Sequence, residues 1–203
     1  MGHPKDEVVS PGYQEIACQQ VLLQDASVYS VQWLVIPDRS GGTLTAQALL
    51  ESYLKLIGEW TCSLIRPAAS AEGIEFRLLG TSLVLLGFDP PEYLSGPETE
   101  AVRLRINGGV LVQERGNGRG MFSLSSRREA GGLRIEVLLS DYCAQLLGSA
   151  RPSPARRLLY RMTQAWIHKA VTVSYLTRWC RELTGEPPRV RVKKVQVREG
   201  RNT

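Results

Sequence analysis

His168 is the residue in this chain best suited to acid–base chemistry, and its neighbours on a helix would be Gln164 and Thr172. A general base needs a carboxylate or a nucleophile within reach. Neither the i−4 nor the i+4 position supplies one, so His168 reads as a structural histidine. Asp141 and Tyr142 follow an apolar run and read as a strand end. The run Gly116-Asn-Gly-Arg-Gly120 could cradle phosphate only if it opened a helix. The residues after it alternate like a strand, so it is a turn. Cys18, Cys62, Cys143 and Cys180 are widely spaced, and only His3 and His168 could join them. That pattern implies reduced, mostly buried thiols, with no metal site and no redox cofactor.

The densest group of cations and aromatics is RRLLYRMTQAWIHKAV, residues 156–171. It belongs to a charge asymmetry. Residues 1–149 hold 12 Lys+Arg against 17 Asp+Glu, net −5; residues 150–203 hold 13 against 3, net +10. A basic terminal quarter suits nucleic acid, an anionic membrane surface, or the acidic body of its own chain. The apolar fraction of 43% and charged fraction of 22% are ordinary for a globular protein. No secretory leader is legible in the acidic, proline-containing N-terminus, and no window has the run of apolar residues that a membrane span requires. A soluble, cytoplasmic protein is expected.

Residues 1–15 read as a loose lead-in. Residues 27–37 alternate, with Tyr29, Val31, Trp33 and Val35 on one face and Ser30 and Gln32 on the other, which predicts a half-buried strand. Leu50, Tyr53, Ile57, Trp60 and Leu64 then recur at helical spacing, after a threonine cap and before Pro67; Gly58 predicts a kink or a split. Six short strands follow, GIEFRLL, SLVLLGF, AVRLRI, VLVQE, MFSLS and LRIEVLL, with an acidic loop over residues 89–100. Asn107-Gly108-Gly109 predicts a tight hairpin between the third and fourth. Ser153-Pro154 starts a helix of about 30 residues that Gly185 ends. Leu159, Met162, Trp166, Ala170, Val173, Leu176, Cys180 and Leu183 form its apolar stripe. A six-stranded sheet with one bare apolar face must be covered. The stripe fits that need, so the helix is expected to lie on its own sheet. There is no internal repeat.

This order of strand, helical segment, antiparallel strands and long C-terminal helix resembles the helix-grip fold of the START-like (SRPBCC) superfamily over residues 27–184. The fold expected is α+β: a curved antiparallel sheet of about seven strands wrapped on one helix. It would occupy residues 1–186 as a single domain, with a basic tail over 187–203. The resemblance implies a cavity for a hydrophobic small molecule or lipid. Leu159, Met162, Trp166, Ala170 and Val173 would form its roof; Trp33, Phe76, Leu104, Phe122 and Ile135 would form its floor. The alternative is an interaction module in which Arg189, Arg191, Lys193 and Lys194 meet an anionic partner, either nucleic acid or a membrane surface. No catalytic set is nominated.

Overall fold

The computed structural model describes residues 13–37 and 44–202. Most of the expected lead-in, residues 1–12, therefore lies outside the described residues. From Tyr13 the chain is already a strand. β1 (Tyr13–Leu22) pairs antiparallel with β2 (Val28–Ile36), and α1 (Ala46–Trp60) follows. Then come β3 (Ile65–Ser70), β4 (Gly73–Leu78), β5 (Val84–Phe88), β6 (Glu92–Ser95), β7 (Thr99–Gly108), β8 (Met121–Glu129) and β9 (Gly132–Tyr142). The helical arm is α2 (Pro154–Tyr160), a π turn (Arg161–Ala165) and α3 (Trp166–Thr184). β10 (Arg189–Lys194) and β11 (Arg201–Asn202) close the chain. The strands form one mostly antiparallel curved sheet in the order β10-β1-β2-β9-β8-β7-β5-β4-β3, with α3 laid across β2 and β9. This is the helix-grip arrangement.

The period-2 reading of the central strands is confirmed. Ile74 and Phe76, Val102, Leu104 and Ile106, Phe122 and Leu124, and Leu133, Ile135 and Val137 are all buried. Ser153 caps the arm by accepting from Arg156 N, with Pro154 in the first turn, and Gly185 ends it at φ +76°. Thr45 caps α1 by accepting from Ala48 N. The Glu100 carboxylate of β7 accepts from Ala46 N at 3.2 Å, placing a negative charge at the positive end of α1.

Several expectations change. α1 runs straight through Gly58 and stops at Trp60, because the Thr61 hydroxyl bonds Ile57 O at 2.7 Å and Cys62 and Ser63 adopt positive φ. Leu64 therefore leaves the helix and is exposed, and Pro67 sits in an edge strand, where a missing N–H is tolerated. Part of the acidic loop forms β6 against β7. VLVQE makes no hairpin with β7. Gly109, at φ +112°, carries the chain across β5 instead, where a Cβ would meet Leu85 O at 2.5 Å. Val110 N and Leu111 N then bond Val84 O and Leu85 O. The basic tail is also built into the sheet: β10 lies parallel to β1 at its edge, with Lys193 3.5 Å from Glu15.

β2 faces the opposite way from its expected register. Val28, Ser30, Gln32, Leu34 and Ile36 point inward, and Trp33 lies on the outer face with the Arg134 guanidinium 4.2 Å from its ring centroid. Aromatic weight suggested one face, but helix α3 covers the other.

The helical stripe is displaced as well. Leu159, Met162 and Trp166 are 50%, 69% and 60% exposed, while Tyr160, Ala165, Val171, Tyr175, Leu176 and Cys180 are buried. The π turn inserts one extra residue and turns the segment before it, which carries Leu159, by about 100° relative to an uninterrupted α-helix. Trp166, Ala170 and Val173 lie within α3 itself, on the flank of the face that buries Val171, Thr172, Tyr175 and Leu176. The two stripes coincide only toward the C-terminal end, at Leu176 and Cys180. Trp166→Ala should therefore lower stability by less than about 1 kcal/mol, whereas Leu176→Ala should lower it by about 2–5 kcal/mol. Denaturant unfolding of both variants checks this, and an equal loss would contradict the burial pattern.

Candidate functional site

Where the arm leaves the sheet, a cavity of about 190 Å³ opens. Its walls are apolar, with six rings set among aliphatic side chains: Tyr53 from α1, Phe76 from β4, Phe88 from β5, Phe122 from β8, Tyr142 from β9 and Tyr160 from α2. Tyr53 and Phe122 stand 4.8 Å apart and tilted, and Phe76 meets Phe88 edge-on at 5.2 Å, both favourable ring geometries. Ile167 belongs both to the wall and to the surface, 41% exposed, and marks the rim.

Two irregularities aim the polar side chains. Along β9 the inward residues are Leu133, Ile135, Val137 and Leu139, so Asp141 would come next. A bulge opposite β2 between Val28 and Ser30, with Asp141 at φ +54°, shifts the phase by one and turns Tyr142 inward. On the arm, the π turn leaves Gln164 and His168, one helical turn apart, facing the same space.

The resulting network is directional. Tyr142 OH donates to Leu111 O at 2.8 Å, and Gln164 Nε2 donates to Tyr142 OH at 3.1 Å. Gln164 Oε1 and His168 Nε2 are sealed from solvent and have no hydrogen-bond partner. Burial pushes the His168 imidazole down to about 4, so it is neutral at pH 7. Burial likewise raises the Tyr53, Tyr142 and Tyr160 phenols, keeping them protonated. Among the described residues, no carboxylate, lysine or arginine lines the cavity. The site can hold a neutral molecule and offer it hydrogen bonds at one end. It lacks an activated nucleophile and an acid–base pair, and among the described residues no cluster of three His, Cys, Asp or Glu could hold a metal ion.

Of the lining residues expected from sequence, Phe76 and Phe122 reach this cavity. Leu104 and Ile135 are solid core beneath it, and Ala170 and Val173 are half-buried on the flank of α3. Trp33, Leu159, Met162 and Trp166 face away for the reasons given above. The four basic residues of β10 are exposed, with Arg189, Arg191 and Lys193 on one face and Lys194 on the other. Missed from sequence were Tyr53, Tyr142, Tyr160, Gln164 and His168 as a group. Their signal was the polar series Gln164, His168, Thr172 at four-residue spacing, which marks a helix face as surely as leucines do.

That series continues inward. Thr172 Oγ1, Ser30 Oγ and both amide atoms of Gln32 are buried without partners, on the surfaces where α3 meets β2. Each such group costs about 1–3 kcal/mol when unsatisfied. Elsewhere, a wider cleft of about 910 Å³ is bordered by Asp25, Asp141 and Glu199 together with Arg151, Arg157 and Arg201. Its charges oppose one another, and Asp25 is already bonded to Arg119 at 2.9 Å. It offers no directed chemistry comparable to the aromatic cavity.

No family model matches the chain, and no curated protein matches it. Among solved structures, CalU16 from Micromonospora echinospora is similar over 86% of this chain and 92% of its own, with 13% identity and a TM-score of 0.33. No helix among the described residues is long and apolar enough to cross a membrane.

The His168 imidazole, half-buried with its Nε2 sealed from solvent, makes a pH signature. Its folded pKa lies below the ordinary histidine value of about 6.5, so the unfolded chain takes up the proton first. The stability tied to neutral His168 is complete above pH 6.5 and lost as pH falls toward 4, by about 3 kcal/mol at about 1.4 kcal/mol per unit. Asp25, held low by the Ser27 hydroxyl and then by Ser27 N–H and Arg119, loses its stabilisation only below the usual carboxylate range. Unfolding free energies at pH 7 and pH 4.5 should thus differ less in His168→Leu than in the parent. Equal differences in the two would mean that His168 is hydrated.

Proposed function

We propose that this protein binds a small hydrophobic molecule between its sheet and the helical arm, as a ligand-binding member of the START-like helix-grip proteins. The observation that carries this reading is an aromatic cavity whose two sealed polar atoms have no partner in the protein. A plain core would close on its rings, and these two residues, unlike the partnerless Ser30, Gln32 and Thr172 between α3 and β2, border open space. Size refines the ligand. An engineered cavity of about 150 Å³ accepts benzene, and pockets for drug-sized ligands span about 300–1,000 Å³. At about 190 Å³ this cavity suits one or two fused rings better than a sterol or a two-chain lipid. The missing nucleophile and acid–base pair favour binding over turnover.

A second reading, contact with an anionic partner, is favoured by Arg189, Arg191 and Lys193 sharing the exposed face of β10. Glu15 partly neutralises Lys193. Three contacts would give weak attachment, with a salt dependence of at most about three in log–log slope.

Two measurements separate the readings. Titration with an environment-sensitive apolar dye should saturate, and Val171→Phe, which places a ring in the cavity, should abolish binding. The melting temperature should move by only a few degrees, since added core volume costs about 1–3 kcal/mol at most sites and less beside open space. Unchanged dye binding in that variant would place the dye elsewhere. For β10, the charge reversals Arg189→Glu and Arg191→Glu should abolish low-salt binding to anionic vesicles and to DNA while leaving the fold intact. Deleting 187–203 is a poorer test, because it also strips β1 of its parallel neighbour. Undiminished binding in the double reversal would eliminate the strand as the contact.

A further inference from the structure

We infer that the ligand is a neutral hydroxylated aromatic, its ring held by the aromatic walls and its hydroxyl seated between Gln164 Oε1 and His168 Nε2. This rests on the cavity reading above and adds the chemical class of the ligand.

A phenol has a single O–H, and that of Tyr142 points at Leu111 O, 2.8 Å away. The contact between Tyr142 OH and Gln164 must therefore be donated by the Gln164 amide nitrogen. This fixes which way the amide is turned. Its oxygen is left as an acceptor, sealed from solvent and unpaired. One helical turn on, His168 Nε2 is equally sealed and unpaired. A neutral imidazole nitrogen either donates or accepts, according to its tautomer. The pole thus asks for a group that gives one hydrogen bond and takes another. A hydroxyl does both from a single atom: O–H to Gln164 Oε1, and its lone pair toward His168 Nε2–H.

The alternatives fit less well. A carboxylate would meet the Gln164 carbonyl oxygen with no arginine or lysine in the wall to compensate it. A cation would be buried without a carboxylate for the same reason. A pure hydrocarbon would leave both polar atoms unpaired. The body of the ligand follows from the walls: six aromatic rings around about 190 Å³ suit a flat fused-ring molecule.

The test compares naphthalene, 2-naphthol and 2-naphthoate by fluorescence titration of the full chain. 2-Naphthol should bind about tenfold more tightly than naphthalene, the worth of one well-made hydrogen bond in a sealed site. 2-Naphthoate should bind more weakly than either at pH 7. In Gln164→Leu the preference for naphthol should vanish, while naphthalene affinity stays within threefold and reports an intact cavity. The parent alone can overturn the inference: equal or weaker binding of 2-naphthol than naphthalene rejects the hydroxyl, and tighter binding of 2-naphthoate rejects neutrality. If none of the three binds, the cavity reading itself falls. If naphthalene binds and naphthol gains nothing, only the ligand class falls.

Discussion

Tyr175 is the point on which the structure turns. It is fully buried on α3, and its hydroxyl donates to Leu49 O of α1 at 2.9 Å. Its ring meets Trp179 edge-on at 6.4 Å and Tyr53 edge-on at 5.3 Å, and Tyr53 continues to Phe122 on β8. One run of aromatic contacts thus joins the helical arm, the first helix and the middle of the sheet. A buried phenol must satisfy its hydroxyl, and a helix carbonyl with a spare lone pair does so without breaking α1. The bond fixes the height of α3 above the sheet, and that height sets how much space remains at the other end of the arm. Tyr53 takes part in both the run and the cavity wall, so the solid half of the core and the open half share a boundary.

The open half exists because two regular elements are interrupted. Without the bulge in β9, Asp141 rather than Tyr142 would point inward, placing a carboxylate where a neutral phenol now bonds Leu111. Without the π turn, Tyr160 would be turned by about 100° relative to α3, and the cavity would lose that part of its wall. Both interruptions carry local cost, since Asp141 is a non-glycine residue in the left-handed region and a π turn forfeits regular helix bonds. Such departures persist where surrounding packing over-determines them, and here they flank the same cavity.

Much of the architecture was legible in the chain itself. Period-2 burial on β4, β7, β8 and β9, the Ser153-Pro154 start and the Gly185 stop all follow from local chemistry that tertiary structure left intact. What failed was phase. On β2 every inward position from 28 to 36 is even-numbered, and two of these are Ser30 and Gln32. Ranking faces by hydrophobicity therefore chose Trp33, whose ring is instead covered by Arg134 from outside. On the arm, one inserted residue moved the face of the segment before α3, and no residue type announces a π turn; within α3 the polar Thr172 lies on the covered face while Trp166 lies off it. The charges of residues 189–194 suggest a solvated tail, yet Val190 and Val192 keep one phase within β10. A parallel edge strand tolerates those charges, since lysine and arginine on an open edge discourage further strand addition. The site was missed for a related reason: His168 was judged by the absence of a carboxylate at i±4, which speaks against catalysis and leaves recognition untouched.

The arm divides into halves of different stability, and the division falls at the site. α3 buries Val171, Thr172, Tyr175, Leu176, Trp179 and Cys180, while Tyr160 is the one buried residue of α2. Opening that removes α3 from the sheet would expose the Tyr175 cluster and approach the cost of global unfolding. Opening confined to residues 154–167 would uncover Tyr160, Gln164 and the rim at Ile167, since Leu158, Leu159, Met162 and Trp166 are already half in water or more. Local unfolding follows the smallest loss of buried contact. The cheapest route between solvent and the cavity therefore lies under α2 and the π turn, so the insertion that shapes the polar pole also weakens the cover above it.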